Sequence, residues 1–128
     1  MKINYRLAIA LVTGIVIGAS VIQGLHAQAK PPAYVIVDIN VTDPDNFANN
    51  YAPVVGKIIT DGGGKYLARG GKIATIEGAP AKRLTVIAFP SLDQAVATFT
   101  SAAYKDARKT GDKYANQFHI LAVEGLPQ

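Results

Sequence analysis

Apolar and polar residues alternate along residues 33–41, the first clear pattern outside the N-terminal region. A period of two predicts a β-strand whose two faces differ in polarity. The predicted apolar face carries Val35, Val37, Ile39 and Val41, and the mixed face carries Tyr34, Ile36, Asp38 and Asn40. One face of this strand is therefore suited to a core, and the other is mixed.

A helical pattern follows the strand and contains a proline. Asp43 is placed to cap the helix, and Pro44 suits its first position. Because Pro53 lacks a backbone donor and crowds the preceding turn, we expect it to kink or split the helix. The apolar stripe that would pack on a sheet consists of Phe47, Tyr51, Val54, Val55 and Ile58.

The glycine-rich stretch at residues 61–72 raises the alternative of a phosphate-binding loop. Such a loop follows a strand and opens a helix, so that the amides of the helix N-terminus face the anion. The three glycines at 62–64 instead follow a helix and precede a strand, so we interpret them as a helix stop. We expect a long hairpin arm over residues 65–78, bent at Gly70 and Gly71, that returns as a third strand at 83–89.

The C-terminal half supplies a second helix and a last strand. Ser91 is placed to cap the helix, Ser101 restarts or extends it, and residues 118–125 form the strand. The order strand, helix, strand, strand, helix, strand predicts an α+β, ferredoxin-like fold, with a four-stranded antiparallel sheet and helices on one face. The uncovered face still carries apolar residues, so we expect a homodimer that buries it.

Residues 1–29 have the pattern of a secretory signal peptide. Lys2 and Arg6 are positive, residues 7–22 are apolar and uncharged, and residues 27–29 have the small-x-small form of a cleavage site. We predict cleavage after Ala29, a domain at 30–128, and an exported protein that is periplasmic or secreted. The alternative is an uncleaved anchor over residues 7–25, in which case the protein contacts the membrane.

Charge and cysteine content exclude several classes of function. Removal of Lys2 and Arg6 with the leader leaves eleven basic against nine acidic residues, where the whole chain has a net charge of +4. Such near balance argues against nucleic acid, whose binding needs a concentrated basic face. The absence of cysteine excludes disulfides, thiol nucleophiles and cysteine metal sites.

Six segments together resemble the family of domains of unknown function numbered 1330. In order they are AYVIVDINVTDPDNFANNY, GGKYLARGGK, IEG, AFPSLDQAVATF, SAAYKDAR and VEG, between about Ala33 and Gly125. The resemblance implies a ferredoxin-like domain of the dimeric α/β-barrel superfamily, whose relatives include small monooxygenases, lactone isomerases and stress proteins. It implies no agreed activity. Family members often carry a glutamate in the third strand where this chain has Ala88, so a mechanism based on that carboxylate lacks its residue here.

Three residues are candidates for catalysis. Arg69 lies within a strand, where an always-charged group needs an acidic partner, solvent or an anionic substrate. We weigh a substrate carboxylate inside the barrel against a structural ion pair with Asp38, Glu77 or Glu124. Asp38, on the mixed face, is a candidate base, with a satisfied ion pair as the alternative. His119 is a candidate general base, with a hydrogen-bonded or half-exposed strand residue as the alternative.

Ligand binding has four candidate residues: Tyr51, Arg69, Tyr104 and Glu124. For the two tyrosines, packing in the core or in an interface is the alternative. A lone histidine cannot supply the three or more protein ligands of an ordinary metal site, so we predict no metal, and we predict no cofactor.

Three hypotheses about function remain open at this point. The first is a module that binds a small organic molecule in or beside the barrel. The second is a cofactor-independent enzyme, for proton transfer or monooxygenase-like chemistry, that uses Asp38, Arg69 or His119. The third is a purely structural dimer. A pocket of about 300 Å³ or more with convergent polar groups would favour the first two.

Overall fold

The computed structural model describes residues 29–128, which form a sheet with helices packed on it. The predicted leader, apart from its last residue, lies outside the described residues. Within 29–128, no helix is both long enough and apolar enough to cross a membrane. The elements in chain order are β1 (Ala33–Val41), α1 (Pro44–Asn46), a π-helical turn (Phe47–Tyr51), α2 (Ala52–Asp61), β2 (Lys65–Arg69), β3 (Leu84–Phe89), α3 (Leu92–Phe99), α4 (Ala102–Gly111) and β4 (Ala115–Glu124).

The four strands form an antiparallel sheet in the order β2-β3-β1-β4. Alternate residues of β1 are buried, among them Val35 at 0% and Val37 at 6% exposure. In β3 the same face carries Ile87, which pairs with Val35 and is also fully buried. The helices cover this face, and the face that bears Ile36 and Asp38 has no cover among the described residues. The predicted α+β, ferredoxin-like fold is confirmed.

Pro53 splits the first helical region, as predicted. The chain widens into the π-helical turn, whose last hydrogen bond runs from the Ala52 amide to the Phe47 carbonyl. Because Pro53 cannot donate and its ring crowds the preceding turn, the regular α-helical bonds are lost there. The wide turn buries both Phe47 and Tyr51, whose ring centroids lie 5.1 Å apart.

The three glycines after α2 end the helix, as predicted. Gly63 has a φ of +93°, a left-handed conformation that other residues adopt at a cost. Gly64 is needed for close packing, because a Cβ there would lie 2.6 Å from Ile59 Cγ2 and 2.8 Å from Phe89 Cζ. The side chain of Gln94 donates to the Gly62 carbonyl at 2.9 Å and so joins α3 to this turn.

The predicted continuation of the second strand beyond Gly71 is wrong. β2 ends at Arg69, Gly70 bends the chain with a φ of +63°, and residues 71–83 form no strand. Ile76 is 97% exposed in this segment. Among the described residues, no strand pairs with this segment and no core surface covers Ile76. The apolar pattern alone is therefore not enough to form a strand.

Candidate functional site

A small cavity lies between the helices and the β2–β3 side of the sheet and encloses about 50 Å³. Its apolar wall includes Val37, Ile39, Val55, Ile59, Ile87 and Phe99. The polar groups at its surface are the phenols of three tyrosines, the hydroxyl of Thr85 and the guanidinium groups of two arginines. The enclosed volume is well below the range of about 300–1,000 Å³ for drug-sized ligands, so it has room for only a few atoms.

Tyr51, Tyr66 and Tyr104 line this cavity. Tyr51 and Tyr104 are almost fully buried. Burial is the main cause that raises the pKa of all three phenols above the ordinary value of 10.0. The phenols therefore stay protonated near neutral pH and act as hydrogen-bond donors rather than as bases.

The two arginines of the cavity each lie over an aromatic ring. The Arg69 guanidinium carbon lies 4.4 Å from the centre of the Tyr66 ring, and that of Arg83 lies 5.6 Å from the centre of the Phe47 ring. Both arginines line the cavity and the same open cleft, and the Arg83 guanidinium packs against Gly70, the residue after Arg69. A side chain on Gly70 would overlap Arg83. Both arginines are thus held at one edge of the cavity.

Arg69 lies at the mouth of the cavity, which is the boundary that the cavity shares with open surface. Its Nη2 donates to the Ala52 carbonyl at 3.4 Å, which links β2 to the start of α2. Arg69 and Ala52 border the cavity and also two open clefts of about 580 and 530 Å³. One cleft runs past Gly56 and the other past Arg83. A long hydrogen bond and a ring contact are the interactions that hold this arginine across the mouth.

The fold brings three of the predicted site residues together and separates the others. Tyr51, Arg69 and Tyr104 all line the cavity. Asp38 and His119 pair with each other in register on the open face of the sheet, so they do not reach the cavity. Glu124 is exposed at the end of β4. The catalytic and binding roles proposed for these residues remain predictions.

An ion pair between Arg69 and Asp38 within one chain, one of the structural alternatives, is wrong. Asp38 Oδ1 accepts the backbone amides of Lys82 at 3.0 Å and Arg83 at 3.3 Å on the open face. Arg69 points to the helix-covered face, because it pairs in register with Thr85. Within residues 29–128, Arg69 makes no ion pair with Glu77 or Glu124 either.

Tyr66 and Arg83 belong to the site although sequence reasoning did not single them out. Tyr66 and Arg69 are three residues apart, so a regular strand would turn them to opposite faces. The register shifts between Tyr66 and Ala68, which leaves Leu67 as an extra residue and turns Tyr66 and Arg69 to the same side. Arg83 has a weaker signal in the sequence, since alternation with Thr85 and Ile87 assigns it to the helix-covered face.

The open face of the sheet carries an apolar patch beside its polar residues. Ile36 and Leu121 are opposite each other in register and are 36% and 52% exposed. Val123, two residues after Leu121 on the same face of β4, is also 52% exposed. Within residues 29–128, no group of three or more histidine, aspartate or glutamate side chains is arranged to hold a metal ion.

The strand order and the one-sided helical layer define a ferredoxin-like α+β domain. Solved structures similar to it include a protein of unknown function from Rhodopseudomonas palustris, which is 16% identical, with 85% of this chain and 94% of that chain covered and a TM-score of 0.60. Another is a hypothetical protein from Arabidopsis thaliana, which is 12% identical, with 78% and 93% covered and a TM-score of 0.51. A third is a dimeric protein of unknown function and ferredoxin-like fold from Bacteroides fragilis NCTC 9343, which is 12% identical, with 73% and 96% covered and a TM-score of 0.49.

The sequence itself matches a family. The family described as a domain of unknown function, DUF1330, matches residues 32–126. The chain therefore belongs to this family, in agreement with the resemblance noted in the sequence. Comparison with curated proteins gives no match.

Proposed function

We propose that the protein is an exported homodimer that binds a small organic molecule in the cavity between sheet and helices. The signal-peptide pattern of residues 1–29 supports export. The cavity lies beside, and not within, the layer where two sheets would meet. Binding and dimerisation therefore use opposite faces of the same sheet.

The open face supports the homodimer. Ile36, Leu121 and Val123 form a continuous apolar surface on two neighbouring strands, and each is at least 36% exposed in the single chain. Soluble proteins rarely leave such a surface in water, since burial of apolar area is favourable by about 25 cal/mol per Å². A second copy offers a surface of the same shape and polarity.

The cavity alone is smaller than the pocket named above, so the cavity together with the open clefts beside Arg69 is the observation that carries the binding proposal. A mostly apolar wall with a few polar groups at one edge is the usual composition of a small-molecule site. The wall supplies affinity through apolar contact, and the polar groups fix orientation. The small enclosed volume of about 50 Å³ limits the buried part of the ligand to a few atoms, and the open clefts beyond Arg69 can hold the rest.

Binding without chemistry accounts best for the residues at this site. Among residues 29–128, no aspartate, glutamate or histidine lines the cavity. Its three tyrosines have pKa values raised by burial and are poor bases near neutral pH. The groups at the wall can therefore donate hydrogen bonds to a ligand but have no ready means to take a proton from it.

An NMR titration with two small probes tests this proposal. Isobutyrate and isobutyramide have the same shape and differ in charge. We expect at least one of them, at millimolar concentration, to shift the amide signals of residues along the cavity, such as Val55 and Thr85. If neither probe shifts them, the proposed binding function is wrong.

Two matched variants locate the site. Val55 lines the cavity, and its neighbour Val54 is 51% exposed on the same helix. Val55→Ile adds one carbon atom to the cavity wall and should weaken binding of the active probe, whereas Val54→Ile adds it to the surface and should leave binding unchanged. Equal binding by both variants would contradict a site in this cavity.

A further inference from the structure

Two positive charges lie at the mouth of the cavity without a counter-charge from the described chain. Arg69 and Arg83 both line it, and neither makes an ion pair within residues 29–128. Lys57 pairs with Asp61, Lys109 with Asp106, and Arg108 with Asp112, so these carboxylates are paired with other cations. A charge beside an apolar wall is stabilised when an anion approaches it.

The ring contacts of both arginines leave N–H donors for an anion. A guanidinium group has five N–H donors, and its attraction to an aromatic ring comes from its positive charge and uses none of them as a conventional hydrogen bond. The structure gives Arg69 one side-chain hydrogen bond, the contact of 3.4 Å with the Ala52 carbonyl. The remaining donors match the two oxygens of a carboxylate in spacing and direction.

The part of the ligand away from the charge would meet an apolar wall. Beyond the arginines the wall is formed by aliphatic and aromatic side chains, and the enclosed volume is about 50 Å³. Since one water molecule occupies about 30 Å³ in the liquid, this volume fits an apolar group of about two carbon atoms, and any further carbon atom would lie at the open side of the cavity. The tyrosine hydroxyls at the same wall stay protonated and add donors rather than negative charge.

We propose that the ligand of this cavity is a small organic monocarboxylate. Its two oxygens accept hydrogen bonds from Arg69 and Arg83 at the mouth, and its short apolar tail enters the space below them. This inference rests on the proposed function, because it names the ligand class for the same site. A neutral molecule of the same shape leaves both guanidinium groups without an anion and binds more weakly.

The test compares the charged and the neutral probe on the wild-type protein and on arginine variants. We expect isobutyrate to bind at least about tenfold more tightly than isobutyramide, because hydrogen bonds to charged groups are the stronger ones. We expect Arg69→Gln and Arg83→Gln each to weaken isobutyrate by about tenfold and to leave isobutyramide nearly unchanged. Arg69→Lys keeps the charge without the fork and should lie between wild type and Arg69→Gln.

The matched control for charge is Lys105→Gln, on an exposed face of α4 and outside the cavity lining. It removes one positive charge and should not affect isobutyrate. Inorganic phosphate is the second control. If it binds as tightly as isobutyrate, the proposed role of the apolar tail is overturned. Equal affinity for both organic probes would overturn the carboxylate class and leave the proposed binding function intact. Failure of both probes to bind would contradict the two proposals together.

Discussion

The two faces of the sheet are built by alternate residues of the same strands and have opposite relations to the rest of the chain. Val35 and Ile87 on the helix-covered face are fully buried, whereas their neighbour Ile36 on the open face is 36% exposed. The helix-covered face is apolar, and the open face combines an apolar patch with polar residues such as Asp38 and His119. The difference arises because each connection of the fold places its helix on the same side of the sheet.

Because the two faces differ in this way, the proposed ligand binding and the proposed dimerisation use opposite faces of the sheet. The helix-covered face is closed by the chain itself, except for the small cavity edged by Arg69 and Arg83. The open face can be closed only by another molecule. Asp38 and His119 lie on that face, so in the proposed homodimer they face the partner rather than the ligand.

The largest expected effect comes from truncation of the core beneath the helices. Ile87→Ala should lower the free energy of unfolding by about 2–5 kcal/mol, because it removes fully buried carbon atoms and leaves a void. Urea unfolding at several protein concentrations measures this, and the loss should not depend on concentration. For Ile36→Ala on the open face, we expect a loss that grows as concentration favours the dimer. If the losses of both variants depend on protein concentration in the same way, the described difference between the two faces is wrong.

A matched pair of valines tests the open face directly. Val123 is 52% exposed on the open face, and Val96 is 48% exposed on the outer side of α3. Val123→Glu would place an unpaired charge in the proposed dimer interface, at a cost of about 3 kcal/mol or more, which weakens dimerisation at least about 100-fold. Val96→Glu should leave dimerisation unchanged.

Sedimentation equilibrium provides the measurement for this pair. A wild-type protein that stays monomeric at micromolar concentration would contradict the homodimer. If the two glutamate variants dimerise equally well, the dimer interface lies on another surface.

The smallest expected effect concerns pH and sharpens the description of the covered face. Burial raises the pKa of Tyr51 in the folded state above its ordinary value of 10.0, so stability is fully present below that pH. At higher pH the unfolded state loses the proton first, and stability falls by up to about 1.4 kcal/mol per pH unit for each such tyrosine. In the Tyr51→Phe variant, the free energy of unfolding should therefore fall less steeply between about pH 10 and 11. Urea unfolding near neutral pH and in this range measures the free energy of unfolding. An equally steep fall with pH in the variant would contradict the buried phenol.

Local signals in the sequence predicted most of the fold. Asp43 and Ser91 cap the helices where expected, with side-chain oxygens that accept from the amides three residues on. Pro53 splits the first helical region, and the glycines at 62–64 end it. These features depend on neighbours within one helical turn, so the sequence alone is enough to recognise them.

The site was predicted only in part, and Arg69 shows why. Its residue type indicated a charged group within a strand, and Tyr51 and Tyr104 were named as possible pocket residues. The face to which Arg69 points was decided by the extra residue Leu67, which shifts the register between β2 and β3. Nothing in the stretch around it marks that shift, because a bulge depends on how two strands pair.

By itself, the sequence determined the order of the elements, the apolar face of β1 and the helix ends, since these follow from residue types at short spacing. It placed Val54 in the packed stripe of the first helical region, where the structure exposes Val54 to 51% and buries Ile59. The tertiary structure decided which charged and phenolic groups meet at the cavity and that residues 71–83 form no strand. Those outcomes depend on contacts between residues far apart in the chain. Arg69 and Ala52 meet through such a contact, and no local pattern records it.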